Sequence, residues 1–361
     1  MRVGIVGKRG GAFVSGLRSV PGVDIVAVCD LDLATRTAFA ERHGIESQTD
    51  DFRRLLDADI DAIAVATPMQ FHAEQSIAAL EAGKHVVSEV TAAVSLDECQ
   101  RVVAAARRSS ATYMMAENYC FSRSNAIVGE MARRGVFGDL YYAEGAYIHD
   151  CHHVQYDAAG NPTWRTIWQV GSRGCTYGTH SLGPVLTWID DRVASVTCHG
   201  SGVHSEQRHI QDDVTVMLCQ LARGGLADIR LDMQSRRPHN MTHYALQGTR
   251  GAYLSGRHPG ESGLVWIDGR SPSRETWEPL DAYRDEFTPL EWREYGAQAA
   301  ATGHGGGDFF AARAFALSVT TGTTPPIGID RAMDFTLPGV LSAQSIASGG
   351  VPVAVPDSRE W

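Results

Sequence analysis

A glycine-rich turn near the start of the chain has the residue types that bind a phosphate. Residues 7–12 read Gly-Lys-Arg-Gly-Gly-Ala and follow the apolar run Arg2–Val6. In the dinucleotide-binding fingerprint three glycines let the backbone approach a pyrophosphate, whereas here Arg9 stands at the second position and Ala12 at the third. We expect the Arg9 guanidinium to contact a phosphate instead. By itself the motif is degenerate, and a plain tight turn explains it equally well.

Asp30 makes the nucleotide interpretation more specific. It lies 23 residues after Gly7, at the end of the second apolar run. A carboxylate at this position accepts hydrogen bonds from the adenosine ribose hydroxyls and repels a 2′-phosphate. Leu31 follows it, and no lysine or arginine adjoins Asp30 to compensate the charge. The pattern predicts that NAD is bound in preference to NADP.

Strands and helices alternate over the first 120 residues and would place this turn at a sheet edge. Buried strands are predicted at Arg2–Val6, Asp24–Cys29, Ala62–Ala66, His85–Val87 and Thr112–Ala116. Helices are predicted at Leu33–His43, Ala73–Ala82 and Leu96–Arg108, with N-caps at Asp32 and Ser95 and C-terminal stops at Gly44 and Gly83. This alternation predicts a doubly wound parallel sheet, a Rossmann domain over residues 1–120, with its ligand at the carboxyl ends of the strands.

Three further motifs in this half carry a family resemblance. They are Thr67-Pro68 with His72 four residues on, the Gly-Lys-His-Val run at 83–86 with Glu89 after it, and Glu117-Asn118. Together they resemble the cofactor half of the Gfo/Idh/MocA oxidoreductases. The resemblance implies that residues 67–72, Glu89 and Asn118 line the nicotinamide ribose. With the glycine-rich turn, the predicted cofactor contacts are Gly7, Lys8, Arg9, Asp30, Thr67, Met69, His72, Glu89, Val90 and Asn118. Without the resemblance, His72 reads as an ordinary histidine at a helix start.

The strand that ends at Glu89 lacks the lysine expected from that resemblance. The family usually has Glu-Lys-Pro there, and its lysine helps to take the proton from the hydroxyl being oxidised. Here Val90 stands at the lysine position and Thr91 at the proline position. Either another residue has taken over the proton transfer, or the reaction is a different one.

The second half has the alternating pattern of a sheet with one solvated face. After a helix near 122–136, strands are predicted at Leu140–His149, Val193–Gly200, Val214–Leu221, Ala227–Asp232 and Thr242–Gln247. The period of two predicts a large open antiparallel sheet in an α+β domain over residues 121–330. A final helix near Arg331–Ser348, with the tail to residue 361, is predicted to pack back on the first domain. The resemblance implies that the outer sheet surface makes oligomer contacts, as in a dimer or tetramer.

Motifs in this second half narrow the resemblance to glycoside hydrolase family 109. The motifs are residues 144–150, Trp164-Arg165, residues 177–185 and residues 303–308. The family pattern has Tyr-Pro-Thr-His-Gly where this chain has Gly178 and Ser181, and His-Gly-Gly-Met-Asp where it has a third glycine at 307. The resemblance implies substrate contacts from Tyr147, Arg165, Tyr177, Thr179 and His180, whereas the departures place the sugar specificity in doubt.

A glycosidase that uses NAD requires a redox cycle on the sugar. Oxidation at C3 acidifies the C2–H, elimination then expels the group at C1, water adds to the enone, and the ketone is reduced again. The cycle needs proton-transferring groups near C3, C2 and the leaving oxygen. We predict Tyr147, Tyr177 and His180 as the catalytic residues, because Tyr177 and His180 lie on one side of a helix start and His180 can replace the missing lysine. Arg165 can stabilise a developing enolate or hold an acidic substituent.

Each of these residues could instead have a purely structural role. A strand tyrosine such as Tyr147 usually packs in the core, and His180 could simply cap a helix. The His-Asp-Cys-His-His run at 149–153 contains metal-ligand types. Its members are adjacent at a strand end, where neighbouring side chains point apart, so we predict no metal site.

Composition limits the function classes. The chain has 361 residues, 43% apolar and 20% charged, which is enough for two domains with buried cores. A net charge of −10 argues against nucleic acid as a partner. There is no apolar stretch long enough for a membrane span, and the first residues already read as a strand rather than a signal peptide. Seven widely spaced cysteines fit reduced thiols, so we expect a cytoplasmic protein.

The sequence therefore predicts an NAD-dependent glycoside hydrolase that acts on small glycosides, and Arg165 would also suit acidic ones. A sugar or inositol dehydrogenase of the same fold, with His180 as proton acceptor, is the alternative. A non-catalytic sugar or NAD sensor is a third reading. Neither the sugar nor its anomeric configuration follows from the sequence.

Overall fold

A computed structural model describes residues 1–258 and 260–361. Its strands are β1 Arg2–Val6, β2 Asp24–Cys29, β3 Ser47–Thr49, β4 Ala62–Val65, β5 His85–Ser88, β6 Tyr113–Met115, β7 Leu140–Ile148, β8 Val193–Gly200, β9 Val214–Leu221, β10 Leu226–Asp232, β11 Asn240–Gly248, β12 Gly251–Leu254, β13 Leu264–Ile267, β14 Glu278–Pro279 and β15 Val353–Ala354.

Its helices are α1 Val14–Arg18, α2 Leu33–His43, α3 Phe52–Leu56, α4 His72–Glu81, α5 Leu96–Arg108, α6 Arg123–Arg133, α7 His152–Gln155, α8 Arg165–Trp168, α9 Thr179–Ile189, α10 Arg284–Phe287, α11 Leu290–Ala299, α12 Gly307–Thr321 and α13 Ile329–Ala347. Short 3-10 turns lie at Lys8–Ala12, Met69–Phe71, Asn118–Phe121, Leu280–Tyr283, His304–Gly306 and Ser358–Glu360. No helix of the described residues is both long and apolar enough to cross a bilayer.

The first sheet is parallel and has six strands in the order β3-β2-β1-β4-β5-β6. Strand β4 is buried along its whole length, as expected for a strand covered on both faces. The carboxyl ends of β1, β2, β4, β5 and β6 lie along one edge, which is where such sheets bind ligands. This sheet confirms the predicted Rossmann fold. The N-caps confirm the predictions too, since Asp32 and Ser95 accept the backbone N–H groups of Thr35 and Glu98.

The second sheet has nine strands in the order β14-β13-β12-β11-β7-β10-β9-β8-β15. Alternate residues of β9 are buried, so one face of that strand packs on the core and the other meets solvent. The sheet is antiparallel as predicted except for one pair, because β7 and β10 run parallel. Helix α9 packs on its inner face against β7, β10 and β11.

The chain divides into two compact units whose boundaries depart from the predicted ones. The first unit is 1–121, 295–333 and 358–361, and the second is 122–294 and 334–357. Residues 295–330, expected in the second domain, belong to the first because α12 packs on α1. Most of α13 and the strand β15, expected to return to the first domain, belong to the second, where β15 pairs with β8.

Candidate active site

The glycine-rich turn and Asp30 are joined at the carboxyl edge of the first sheet. Gly7 ends β1, and residues 8–12 form a 3-10 turn. One carboxylate oxygen of Asp30 accepts the Lys8 backbone N–H at 3.1 Å, and the other accepts that of Asp32 at 3.1 Å. The aspartate therefore fixes the turn from the end of β2. Arg36 donates to the carbonyl oxygens of Asp30 and Leu31.

Arg9 lies among carboxylates in this structure. Its Nε is 3.3 Å from Glu89 Oε1, and its Nη2 is 3.3 Å from Asp308 Oδ2. The same Nη2 lies 3.3 Å from Nδ1 of His304, which in turn lies 3.0 Å from Asp308 Oδ2. Arg9, Glu89, His304 and Asp308 thus form one charged cluster at the carboxyl end of β5. The expected contact of Arg9 with a phosphate remains a prediction.

Asn118 has an amide oxygen that suits a bound hydroxyl. Its Nδ2 donates to Asp308 Oδ1 at 2.7 Å, which fixes the amide orientation. No donor among the described residues reaches Asn118 Oδ1, although that atom is buried. A buried acceptor without a donor is costly, so it points to a ligand group that donates to it. Gly307 lets α12 approach this point, because a side chain there would collide with the Asn118 carbonyl oxygen.

The remaining predicted cofactor residues are largely internal. Both ring nitrogens of the buried His72 face carbonyl oxygens, Nδ1 that of Thr91 at 2.8 Å and Nε2 that of Thr67 at 2.7 Å. We therefore assign His72 to holding two loops together rather than to touching a ligand. Thr67 Oγ1 donates to Gln75 at 2.7 Å. Met69 and Val90 are buried.

Asp308 is the fully buried member of the charged cluster, and its ionisation should stabilise the first unit. Burial alone would raise its pKa, but the hydrogen bond and charge of His304, the charge of Arg9 and the amide of Asn118 lower it to about 2. Relative to an ordinary aspartate at 3.8, the ionised form is favoured by about 2 kcal/mol.

Asp308→Asn should therefore lower the free energy of unfolding by about 2 kcal/mol at pH 7. Because the folded pKa is the lower one, the contribution is present above pH 4 and is lost as the pH falls towards 2. Chemical denaturation of both proteins from pH 7 to pH 3 measures the gap. A gap that stays constant over this range would contradict the assignment. Asp97→Asn, on the exposed first turn of α5, is the matched control.

The second unit brings together the three residues predicted to be catalytic. The ring centroids of Tyr147 and His180 lie 5.1 Å apart, those of Tyr177 and His180 5.0 Å, and those of Tyr147 and Tyr177 5.9 Å. Tyr147 lies near the carboxyl end of β7, and His180 in the first turn of α9. Both are almost fully buried.

Gly145 makes this approach of helix to strand possible. A Cβ at Gly145 would lie 2.6 Å from the Ser181 carbonyl oxygen, closer than real side chains come. The first turn of α9 can therefore rest directly on β7. Tyr244 on β11 adds a second anchor, because its hydroxyl donates to the His180 carbonyl oxygen at 2.6 Å. The position of the His180 ring is thus set by the sheet beneath it.

Further histidines surround the Tyr147 hydroxyl. His149 Nδ1 lies 2.7 Å from Tyr147 Oη, and the His149 ring packs edge-on against His239 with centroids 4.5 Å apart. Burial first, and then the charges of His239, His153, Arg165 and His180, lower the pKa of His149 to about 4. His149 is therefore neutral at physiological pH. No group of three or more histidine, cysteine, aspartate or glutamate side chains in the described residues could hold a metal ion.

Arg165 and Thr179 complete the predicted substrate contacts. Arg165 begins α8, donates to Gln169 Oε1 at 2.9 Å and lies 4.5 Å over the Trp164 ring. Thr179 is buried at the start of α9, and its hydroxyl has no partner among the described residues. The charge of Arg165 is one of those that lower the pKa of His149.

Each of the two units is similar to a known protein family. A family model for the C-terminal domain of glycosyl hydrolase 109 matches residues 121–360. The chain belongs to the glycosyl hydrolase 109 family. An oxidoreductase family model for an NAD-binding Rossmann fold matches residues 1–117, so the first unit of this glycosyl hydrolase 109 protein is an NAD-binding domain.

Relatives of this glycosyl hydrolase 109 chain match it over nearly its whole length. A family 109 protein of Streptomyces niveus is 30% identical, over 100% of this chain and 78% of the relative. One of Solibacter usitatus is 29% identical, over 99% and 88%. A Shewanella oneidensis relative named alpha-N-acetylgalactosaminidase is 28% identical, over 99% and 84%. A solved levoglucosan dehydrogenase with NADH and L-sorbose shares the fold, with a TM-score of 0.84 at 20% identity over 99% of both chains.

In the sequence, His304 and Asp308 belong to a motif of the family resemblance, and nothing there indicates a role beside the predicted cofactor site. They lie far along the chain from Arg9, so only the packing of α12 brings them there. From the sequence, His149 belongs to the motif at residues 144–150 and to a run of metal-ligand types, with no catalytic role. Its spacing of two from Tyr147 on a strand was the signal available, since such residues share a face.

Proposed function

We propose that this protein is an NAD-dependent glycosidase that cleaves small glycosides by transient C3 oxidation, elimination across C1 and C2, water addition and re-reduction. The observation that carries the proposal is the cluster of Tyr147, Tyr177 and His180, whose rings lie 5.0–5.9 Å apart. These are proton-transferring groups in a chain that has Val90 where the dehydrogenases place a lysine. Family membership supports the same reading.

The residues of the first unit fit NAD. Asp30 would accept the adenosine ribose hydroxyls, and Asn118 Oδ1 has the free acceptor capacity for a hydroxyl of the second ribose. Gly7 and Lys8 would hold the pyrophosphate, with Arg9 as a nearby positive charge. When bound, NAD supplies a hydride acceptor for C3 and the hydride that restores the hydroxyl at the end of the cycle.

The second unit supplies the proton transfers. His180 is assigned to the proton of the C3 hydroxyl, because it is the titratable group that can take the place of the lysine. Tyr147 is assigned to the C2 proton, and Tyr177 to orienting the hydroxyls beside it. Arg165, permanently charged, would stabilise the negative charge that develops when C2 loses its proton.

A screen of p-nitrophenyl glycosides of both anomers tests the proposal. It should include the N-acetyl-α-galactosaminide, because one relative carries that name, and acidic sugars, because Arg165 suits them. The expected result is release of nitrophenol by protein that carries NAD, with no net NADH. Steady NADH formation from free sugars would favour a dehydrogenase, and binding without turnover would favour a sensor.

Val90→Lys should not improve the enzyme. Val90 is 8% exposed, so a lysine there would place an ammonium group in a buried position. We expect glycoside cleavage to fall at least about tenfold, because burying an unpaired charge costs several kcal/mol. Val90→Met, of similar length and without charge, is the control and should retain most activity. If Val90→Lys retains glycoside cleavage and oxidises free sugars faster, the site still accepts a lysine at position 90, and the prediction is wrong.

A further inference from the structure

Tyr147 and His149 form a pair that the assigned proton transfers leave unexplained. His149 directly follows β7, and its backbone N–H still donates to the Asp232 carbonyl oxygen of β10 at 2.8 Å, so the alternation of the strand extends to it. It therefore points to the same face as Tyr147, two residues before it. Tyr147 Oη lies 2.7 Å from His149 Nδ1, within the range of a strong hydrogen bond. A buried tyrosine that acts on a proton needs a partner for its own proton.

We propose that His149 is the positioning residue of Tyr147: its neutral Nδ1 accepts the phenolic proton, which directs an oxygen lone pair of Tyr147 towards the substrate. This inference rests on the proposed glycosidase function, in which Tyr147 takes the C2 proton. It adds to that function a second residue, which does not touch the sugar.

Electrostatics around His149 keep Nδ1 available as an acceptor. The groups that bear on it are His239 on the chain leading into β11, His153 on α7, Arg165 on α8 and His180 on α9. All four are bases, so each disfavours an imidazolium at His149, and burial acts in the same direction. The resting ring is therefore neutral, and an imidazolium formed during the step is transient and returns its proton readily to Tyr147. His239 accepts the Asp150 backbone N–H at Nδ1, which fixes the ring that packs against His149.

In the proposed step, every proton that leaves one group is taken up by another. The C2–H bond breaks, and its proton passes to Tyr147 Oη while the proton of Tyr147 passes to His149 Nδ1. The electron pair from C2 forms the C1–C2 double bond as the bond from C1 to the leaving oxygen breaks. That oxygen then takes the proton from Tyr147 Oη, and His149 returns its proton to Tyr147. No oxidant or reductant takes part in this step.

Two substitutions of His149 separate orientation from proton transfer. His149→Asn keeps an oxygen acceptor near the position of Nδ1 but cannot take the proton, so kcat should fall about 10²–10³-fold with KM nearly unchanged. His149→Leu removes the acceptor as well, so KM should also rise. In a Tyr147→Phe background neither substitution should cause a further loss, because the partner is gone. His204→Asn, an exposed histidine after β8 whose ring contacts the Ser201 carbonyl oxygen, is the matched control and should change neither constant.

A spectroscopic measurement on the NAD-bound protein tests the pair without turnover. In histidine labelled with ¹⁵N, the His149 resonance, identified by its loss in His149→Asn, should report an unprotonated Nδ1 from pH 8 to pH 5. Tyr147→Phe should shift that resonance. A proton on Nδ1, titration near 6.5, or kinetic losses that add to those of Tyr147→Phe would overturn the inference. If the wild-type protein cleaves no glycoside but shows the unprotonated His149 Nδ1 and its shift in Tyr147→Phe, the proposed function is wrong. The hydrogen bond between Tyr147 and His149 is then still supported.

Discussion

In D2O, the sugar released by the wild-type protein is expected to carry deuterium at C2, with no net change in NADH absorbance. Elimination must break the C2–H bond to expel the group at C1, whereas paired carboxylates act through an oxocarbenium ion and leave that bond intact. Tyr147→Phe and His180→Ala should each lower both exchange and cleavage by about 10²–10⁴-fold, the usual contribution of a proton-transferring residue. Mass spectrometry of the product and nitrophenol release measure the two effects together.

Matched controls show that such losses are not due to unfolding. Tyr142→Phe removes a hydroxyl from the same strand, where it donates to Glu144 at 3.0 Å on the opposite face, and should leave activity unchanged. NAD should remain bound to the Tyr147 and His180 variants, because both residues lie in the second unit. Product with an intact C2–H would exclude elimination. Exchange that persists in Tyr147→Phe would move the C2 proton to another residue.

The wild-type protein is expected to bind NAD at least about 10²-fold more tightly than NADP. A 2′-phosphate would face the Asp30 carboxylate, and juxtaposed like charges cost several kcal/mol. Asp30→Ala should weaken NAD binding, because the ribose hydroxyls lose an acceptor, and should narrow the gap between the cofactors to less than about tenfold. Isothermal titration of both nucleotides with both proteins measures the four affinities.

Asp24→Ala serves as the control for this change. Asp24 is an exposed carboxylate at the opposite end of β2, so its loss alters the net charge equally without touching the carboxyl edge. Its cofactor preference should match the wild type. Equal binding of NAD and NADP by the wild-type protein would mean that Asp30 does not face the ribose.

Local patterns in the sequence determined most strands of the first sheet and the five adjacent strands β11, β7, β10, β9 and β8 of the second. Strands β1, β2, β8 and β9 and helices α2 and α5 lie at the predicted residues, because each is a self-contained run with its own period and cap. The sequence did not predict five short strands of two to four residues each, namely β3, β12, β13, β14 and β15. In β3, Ser47–Thr49 is polar and has no apolar run. The position of Asp30 could also be predicted, because it directly follows the end of β2.

Tertiary packing decided which side chains meet. The sequence does not indicate that Glu89, His304 and Asp308 surround Arg9. His304 and Asp308 reach it because α12 packs on α1 after more than half of the chain has intervened. The meeting of His180 with Tyr147 likewise depends on Gly145, whose missing side chain lets α9 rest on β7. Periodicity along a chain specifies the face a residue occupies, whereas contacts between distant segments follow from how the faces fit. The charged cluster and the tyrosine–histidine cluster are therefore properties of the fold.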